Sequence, residues 1–453
     1  MSSKPILLLW VIVALPLISF AQSSPVLDRY IQYGVAHNLM LQQKDFDVRR
    51  SMEGVRLAKA MFQPSVQLVA NYTLAAGGRK IDFPIGDLLN PVYGTLNQLT
   101  QSNNFPLLEN QQIQFLPNNF QETKVKFAYP LYNTDLRYNQ KIQELLLQGH
   151  QVQRKTYELQ LRYDIAGAYL QYLQAGAAAQ IWKNAREVLG DLKQFNESLV
   201  KNNVATRDIV AQTEYEISKA EQELIALQGN QKTAQAYLNF LLNTPLQDSV
   251  ESDTTLLYAA AIPACSLDSA IYIAQQFRLE PEALGAARQA GQTAADLHSA
   301  HRNRPAFYIG GEAGFQGFGY HYGQDQAFAL VQAGMTYNVF DGKTSRIKAQ
   351  EAQIGADQLD QQIALVQQQI ALQVAERYYA LESAQKRLVS ARTGVQAAEA
   401  SFRIIQNKYR AGQTLLIEWT DARNRVTTAR LQELLARSAV LQAHWELQEA
   451  MGI

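Results

Sequence analysis

Residues 341–413 read DGKTSRIKAQEAQIGADQLDQQIALVQQQIALQVAERYYALESAQKRLVSARTGVQAAEASFRIIQNKYRAGQ. The helical pattern is unbroken to Arg410. It is interrupted at Ala411-Gly412-Gln413 and then runs on to Ile453. Some 69 residues at about 1.5 Å each make a helix about 100 Å long, several times the usual length in a globular domain. No compact core accommodates such a helix.

A near-copy of this arrangement lies earlier in the chain. Tyr132-Asn133 precedes the first long helix as Phe340-Asp341 precedes the second, and Thr206 follows the first interruption as Thr414 follows the second, both 208 residues apart. Within the helices, Ile165, Tyr169, Tyr172 and Ala175 fall on Val374, Tyr378, Leu381 and Ala384, 209 residues on. Leu27-Asp28 recurs as Leu267-Asp268, and Asn38-Leu39 is echoed by Arg278-Leu279, 240 residues on. The chain is an internal duplication, which settles the layout before any fold is considered.

Working outward, residues 1–21 carry Lys4, an apolar run from Ile6 to Ile18 and the small-residue signature around Ser19 and Ala21. This reads as a secretory signal peptide cleaved before Gln22. The division that follows is a first repeat at 22–243, a polar connector at 244–266 and a second repeat at 267–453. Balanced charge, 41 basic against 41 acidic residues, argues against a nucleic-acid partner. Cys265 is the only cysteine, which excludes an internal disulfide. No apolar run in the mature chain reaches the length of a membrane-spanning helix, so any membrane contact has to be made by strands.

Four segments carry the two-residue alternation of such strands, at about 64–73, 122–131, 306–315 and 329–340. Val66, Leu68, Ala70 and Tyr72 share one face of the first, and Val125, Phe127, Tyr129 and Leu131 share one face of the second. Phe307, Ile309, Ala313 and Phe315 do so in the third, and Val331, Ala333, Met335, Tyr337 and Val339 in the fourth. Ala75–Phe120 is rich in Gly, Pro, Asn and Gln and reads as a long loop facing the outside. On the first long helix, about Thr134 to Lys201, the residues Leu161, Ile165, Ala168, Tyr172, Ala175, Ala179 and Trp182 recur at spacings of four and three, a heptad seam. Helical patterns also run from Val26 to Met61 and from Thr206 to Leu242.

Four strands cannot close a barrel, and open edges in lipid leave backbone groups unpaired. Several chains therefore share one barrel, with the long helices extending from it. With its duplicated helix-strand-strand-helix layout, the strands entered at Pro64 and Pro305, and the motif Tyr409-Arg410-Ala411-Gly412 followed by Glu418 and Asp421, the chain resembles the TolC family of outer-membrane efflux proteins. The resemblance implies a mainly helical protein with membrane strands: a homotrimer whose 12-stranded β-barrel is continued by a long α-helical barrel. It places the barrel in the lipid of the bacterial outer membrane and the helices in the periplasm. It further implies an exit duct of an efflux or type I secretion system, docked to a periplasmic membrane-fusion adaptor and an inner-membrane transporter, with no cofactor.

By the same resemblance, Glu418 and Asp421 form an acidic ring at the periplasmic aperture, where carboxylates focus negative potential on cations. Val210 and Thr213 stand at the equivalent places of the first repeat. Asp208 and Tyr409 correspond to a latch that holds the aperture, although Thr414 replaces a basic residue of that arrangement. The turns at Asn202, Asn203 and Val204 and at Arg410, Ala411 and Gly412 correspond to adaptor contacts. Gly342-Lys343-Thr344 lacks the earlier glycine of a phosphate loop, Tyr337 standing there. His298 and His301 lack the further ligands of a metal site. No nucleophile or acid–base set stands out, so catalysis is not indicated. The competing reading is a periplasmic coiled-coil scaffold or adaptor, which shares the helices but has no use for four alternating strands.

Overall fold

The computed structural model describes residues 24–258 and 265–453. The signal-peptide segment and the end of the connector lie outside the described residues. The described chain falls into two compact units. One is helical, from the described parts of Met1–Ser51, Leu146–Arg288 and Asp357–Ile453; the other contains the strands, from Met52–Leu145 and Gln289–Ala356.

The first repeat comprises α1 (Pro25–His37), α2 (Leu39–Ala60), β1 (Ser65–Thr73), β2 (Lys80–Phe83), α3 (Ile85–Thr100), β3 (Gln111–Gln114), β4 (Phe120–Tyr132), α4 (Thr134–Lys201) and α5 (Asp208–Leu242). The second comprises α6 (Leu267–Phe277), α7 (Glu280–Asn303), β5 (Ala306–Phe318), β6 (Ala327–Thr336), α8 (Thr344–Arg410) and α9 (Leu416–Met451). Serine caps open both repeats: Ser24 Oγ accepts from Val26 N, and Ser266 Oγ from Ser269 N, satisfying orphan donors of α1 and α6. Among the described residues no helix is long and apolar enough to cross a membrane.

The helical pattern from Val26 to Met61 is broken in the structure at Asn38. Its side chain accepts from Leu41 N (3.0 Å), starting α2, and donates to Leu241 O (2.9 Å), anchoring the break to the end of α5. The second repeat breaks between α6 and α7, where Arg278 C-caps α6 in an extended conformation and its guanidinium pairs with Glu280 (2.6 Å). The echo of Asn38-Leu39 in Arg278-Leu279 thus marks a break common to both repeats.

Most of the α4 seam is buried as its spacing requires, Ala175 and Trp182 being half-buried. Leu161, Ile165, Ala168 and Tyr172 pack with Leu27, Leu41, Leu238 and Leu241. The matching residues Val374, Leu381 and Ala384 of α8 build a second core with Ala270, Ala274 and Leu447. The connector straps onto the first core. Tyr169 Oη donates to Glu251 O (3.1 Å) and accepts from Asp253 N (2.9 Å), while Tyr172 Oη donates to Val250 O (3.1 Å).

In the strand unit the order is β1-β4-β5-β6, antiparallel throughout, and β1 and β6 are free edges. The register aligns Val66 with Phe127, Val125 with Ala313, Ile309 with Ala333 and Phe307 with Met335, so one face is apolar over most of its extent, with Gln121 and Thr123 at one end. The other face carries Gln67, Lys124, Lys126, Glu312 and Gln332. Lys124 pairs with Glu122 (2.5 Å) and Glu312 (2.7 Å), and Lys126 with Glu312 (3.2 Å). Gly314 lies directly opposite Lys124, where a Cβ would stand 2.2 Å from Thr123 O, so only glycine fits.

Two expectations are corrected here. The fourth strand stops at Thr336, not 340: Thr336 pairs with Ala306, the first residue of β5, which is preceded by Pro305 and so ends the ladder. Asp341 then starts α8 by accepting from Lys343 N (3.0 Å) and Ser345 N (2.9 Å). The segment Ala75–Phe120 is not an unstructured loop, because β2 pairs with β3 and α3 lies between them. Asparagine amides hold it in place of a core. Asn90 bonds both N and O of Leu108 (2.8 and 3.0 Å), and Asn97 both N and O of Phe105 (3.1 and 2.7 Å).

Candidate functional site

Within the helical unit, the α4–α5 and α8–α9 turns end their long helices in the same way. Val204 N donates to Leu199 O (2.9 Å) and Asn203 N to Val200 O (3.0 Å); Gln413 N donates to Lys408 O (2.8 Å) and Gly412 N to Tyr409 O (3.0 Å). Both are Schellman caps, with a left-handed residue supplied by Asn203 (φ 57°) and by Gly412 (φ 73°). Asn202, Val204, Arg410 and Ala411 are exposed around them. Asparagine tolerates this backbone less well than glycine does. Asn203→Ala is therefore expected to destabilise the turn by about 1 kcal/mol, whereas Asn203→Gly is neutral or better. Thermal melting of the detergent-solubilised protein checks this, and identical melting of the two variants would contradict it.

Beyond each turn a threonine holds a first-turn acid. Thr206 Oγ1 donates to Asp208, and Thr414 Oγ1 donates to Glu418. Both carboxylates sit at helix N-termini, where negative charge is favoured. Glu418 and Asp421 are exposed on one face of α9, and Asp421 pairs with Arg425 at 2.7 Å. This face of α9 thus presents two carboxylates and one guanidinium, a net single negative charge. The reading from sequence passed over Arg425, though its four-residue spacing from Asp421 was visible there.

Tyr409 is 8% exposed and turned inward. Its hydroxyl donates to Asn196 Oδ1 (2.8 Å), so the structure does not join Tyr409 to Asp208 within the protomer. Burial pushes the Tyr409 phenol above its ordinary range. Around it, Phe195 lies edge-on (6.1 Å), Trp419 lies tilted (6.4 Å) and itself meets Phe402 edge-on (5.3 Å), while Leu189, Leu192, Ala220 and Leu416 complete a core. One turn beyond Trp419, Arg423 is buried, and burial together with Arg430 lowers its pKa to about 10. Its guanidinium donates to the Thr427 hydroxyl, and it lines a small cavity with Trp182, Glu216 and Lys219. No local motif announced Asn196 or Arg423.

His301, considered above for metal binding, instead pairs with Asp135 (2.7 Å) and contacts Asn338 (3.3 Å). Among the described residues no group of three or more His, Cys, Asp or Glu side chains is placed to hold a metal ion.

Residues 276–453 match the family model "Outer membrane efflux protein". No curated protein matches the sequence. Among solved structures, the outer-membrane channel OprN is similar at 15% identity over 95% of this chain and 90% of that one, with a TM-score of 0.75. The outer membrane protein VceC of Vibrio cholerae is 16% identical over 94% of this chain and 96% of that one, with a TM-score of 0.73. The MtrE outer membrane channel of Neisseria gonorrhoeae is 14% identical over 94% and 89%, with a TM-score of 0.72. At these identities the structural likeness establishes the fold alone, and the family model covers the second repeat, less than half of the chain. Sequence over the second repeat and fold over nearly the whole chain point the same way: residues 276–453 match the outer membrane efflux protein family model, and the chain as a whole shares the fold of outer-membrane channels of solved structure.

Proposed function

We propose that the chain is one protomer of a trimeric outer-membrane exit duct whose Glu418 and Asp421 form the charged constriction of its entrance. The observation that carries the duct is the four-stranded sheet with one mostly apolar face and two unpaired edges. In lipid those edges have to be paired, and three copies supply twelve strands. A periplasmic scaffold would leave the apolar face without a role. The exposed turns around Asn203 and Gly412 are the surfaces a periplasmic adaptor would grip, with an inner-membrane transporter beyond it.

The entrance reading makes an ordered prediction. Because Arg425 offsets Asp421, Glu418 is the less compensated charge. In planar-bilayer recordings of the purified protein, Glu418→Ala should weaken block by a multivalent cation about tenfold. Asp421→Ala should weaken it at least as much, since it leaves Arg425 as an uncompensated positive charge. Block equal to wild type in both variants would remove these side chains from the conducting path, and a protein forming no channels at all would overturn the duct.

A further inference from the structure

Asn196 is wholly buried on α4, and its amide uses both ends. Oδ1 accepts from Tyr409 Oη of α8 (2.8 Å), and Nδ2 donates to Thr213 Oγ1 of α5 (2.9 Å). Thr213, also buried, passes its own proton to Ile209 O (2.7 Å). Three donors point the same way along this chain, an arrangement in which each bond polarises the next. The adjoining cluster is the aromatic and aliphatic side chains of Phe195, Leu192, Ile405 and Trp419, and with Asn196 wholly buried an orphaned group is costly. Trp419 brings in α9 by packing on Tyr409. One amide therefore ties together the ends of all four helices that carry the two turns.

We propose that Asn196 is the positioning residue of the entrance: it fixes the Tyr409 ring and through it holds the α8–α9 turn against α4–α5. The fastening inside one protomer is then Asn196–Tyr409, with Asp208 engaged by Thr206. The proposal rests on reading the two turns as the entrance of the duct.

The test is single-channel conductance of the purified full-length protein carrying Asn196→Leu, Tyr409→Phe, both together, or Asn196→Asp. Asn196→Leu and Tyr409→Phe are each expected to raise conductance about twofold or more, and the double variant no further than the larger single, since both cut the same bond. Asn196→Asp adds a readout that packing alone does not move. A protonated carboxyl offers one donor and one acceptor, as the amide does, whereas a carboxylate offers acceptors only. Burial raises the pKa of such a carboxyl. It stays neutral, and the entrance stays tight, below that raised value; it ionises and the entrance loosens above it. The groups facing position 196 are Tyr409 and Thr213, neither of which titrates in the acidic range. The conductance of Asn196→Asp relative to wild type should therefore rise with pH. Where Asn196→Leu fails to assemble, this pH profile decides.

Wild-type conductance in both single variants, additive effects in the double, or a flat pH ratio would each overturn the proposal. Cation block in the same recordings separates the two readings. Block that depends on Glu418 alongside silent Asn196 variants removes this proposal alone, and absence of block in the wild type removes the entrance.

Discussion

Val331→Arg is expected to abolish assembly of the membrane form, whereas Gln332→Arg, one residue along, is expected to leave it intact. Val331 is 77% exposed in the isolated chain and lies in the apolar row with Ala329, Ala333 and Met335. An arginine on the lipid face near mid-bilayer costs about 2–4 kcal/mol, and three copies of the chain multiply this to about 6–12 kcal/mol, the size of a whole domain's stability. Gln332 is on the opposite, polar face beside Gly310, where water hydrates a new cation. The measurement is the heat-resistant oligomer on a denaturing gel run without boiling, together with the yield in outer-membrane fractions. Equal yields for the two variants would mean that the alternation of β6 has nothing to do with lipid.

The second large effect is expected at Trp419, 2% exposed between Phe402 and Tyr409. Trp419→Ala leaves a void where four helices meet and costs about 3–5 kcal/mol. This should accelerate amide exchange at the ends of α4 and α8 by about two hundred- to several-thousandfold, while exchange in the core around Leu161 and Ile165 stays unchanged. The control is Ile417→Ala, two residues earlier and 70% exposed, for which little change is expected. If Trp419→Ala exchanges like Ile417→Ala, the aromatic cluster does not hold the turns.

What could be read from the sequence and what could not divide along a physical line. Burial of Leu161, Ile165 and Tyr172 follows from a period repeated along one helix, and the apolar faces of β1 and β4 from strict alternation. Both signals are carried by neighbours in sequence. The break at Asn38 depends on Leu241 O, the fold of 75–120 on Asn90 and Asn97 reaching Leu108 and Phe105, and the setting of Tyr409 on Asn196. Each is a single amide meeting a backbone or side-chain group distant in sequence. An asparagine looks the same in a string whether it is solvated or a buried clamp. The acidic pair at 418 and 421 was visible as a spacing, but the charge it presents also depends on Arg425.

The polar face of the sheet has a further consequence. Glu122, Lys124, Lys126 and Glu312 add up to zero, cross-linked in place against the strand floor. A lining of this kind resembles a zwitterionic coating: wettable, yet with little far field to attract or repel a passing ion of either sign. A wall lined in this way would admit anionic, cationic and neutral solutes on nearly equal terms.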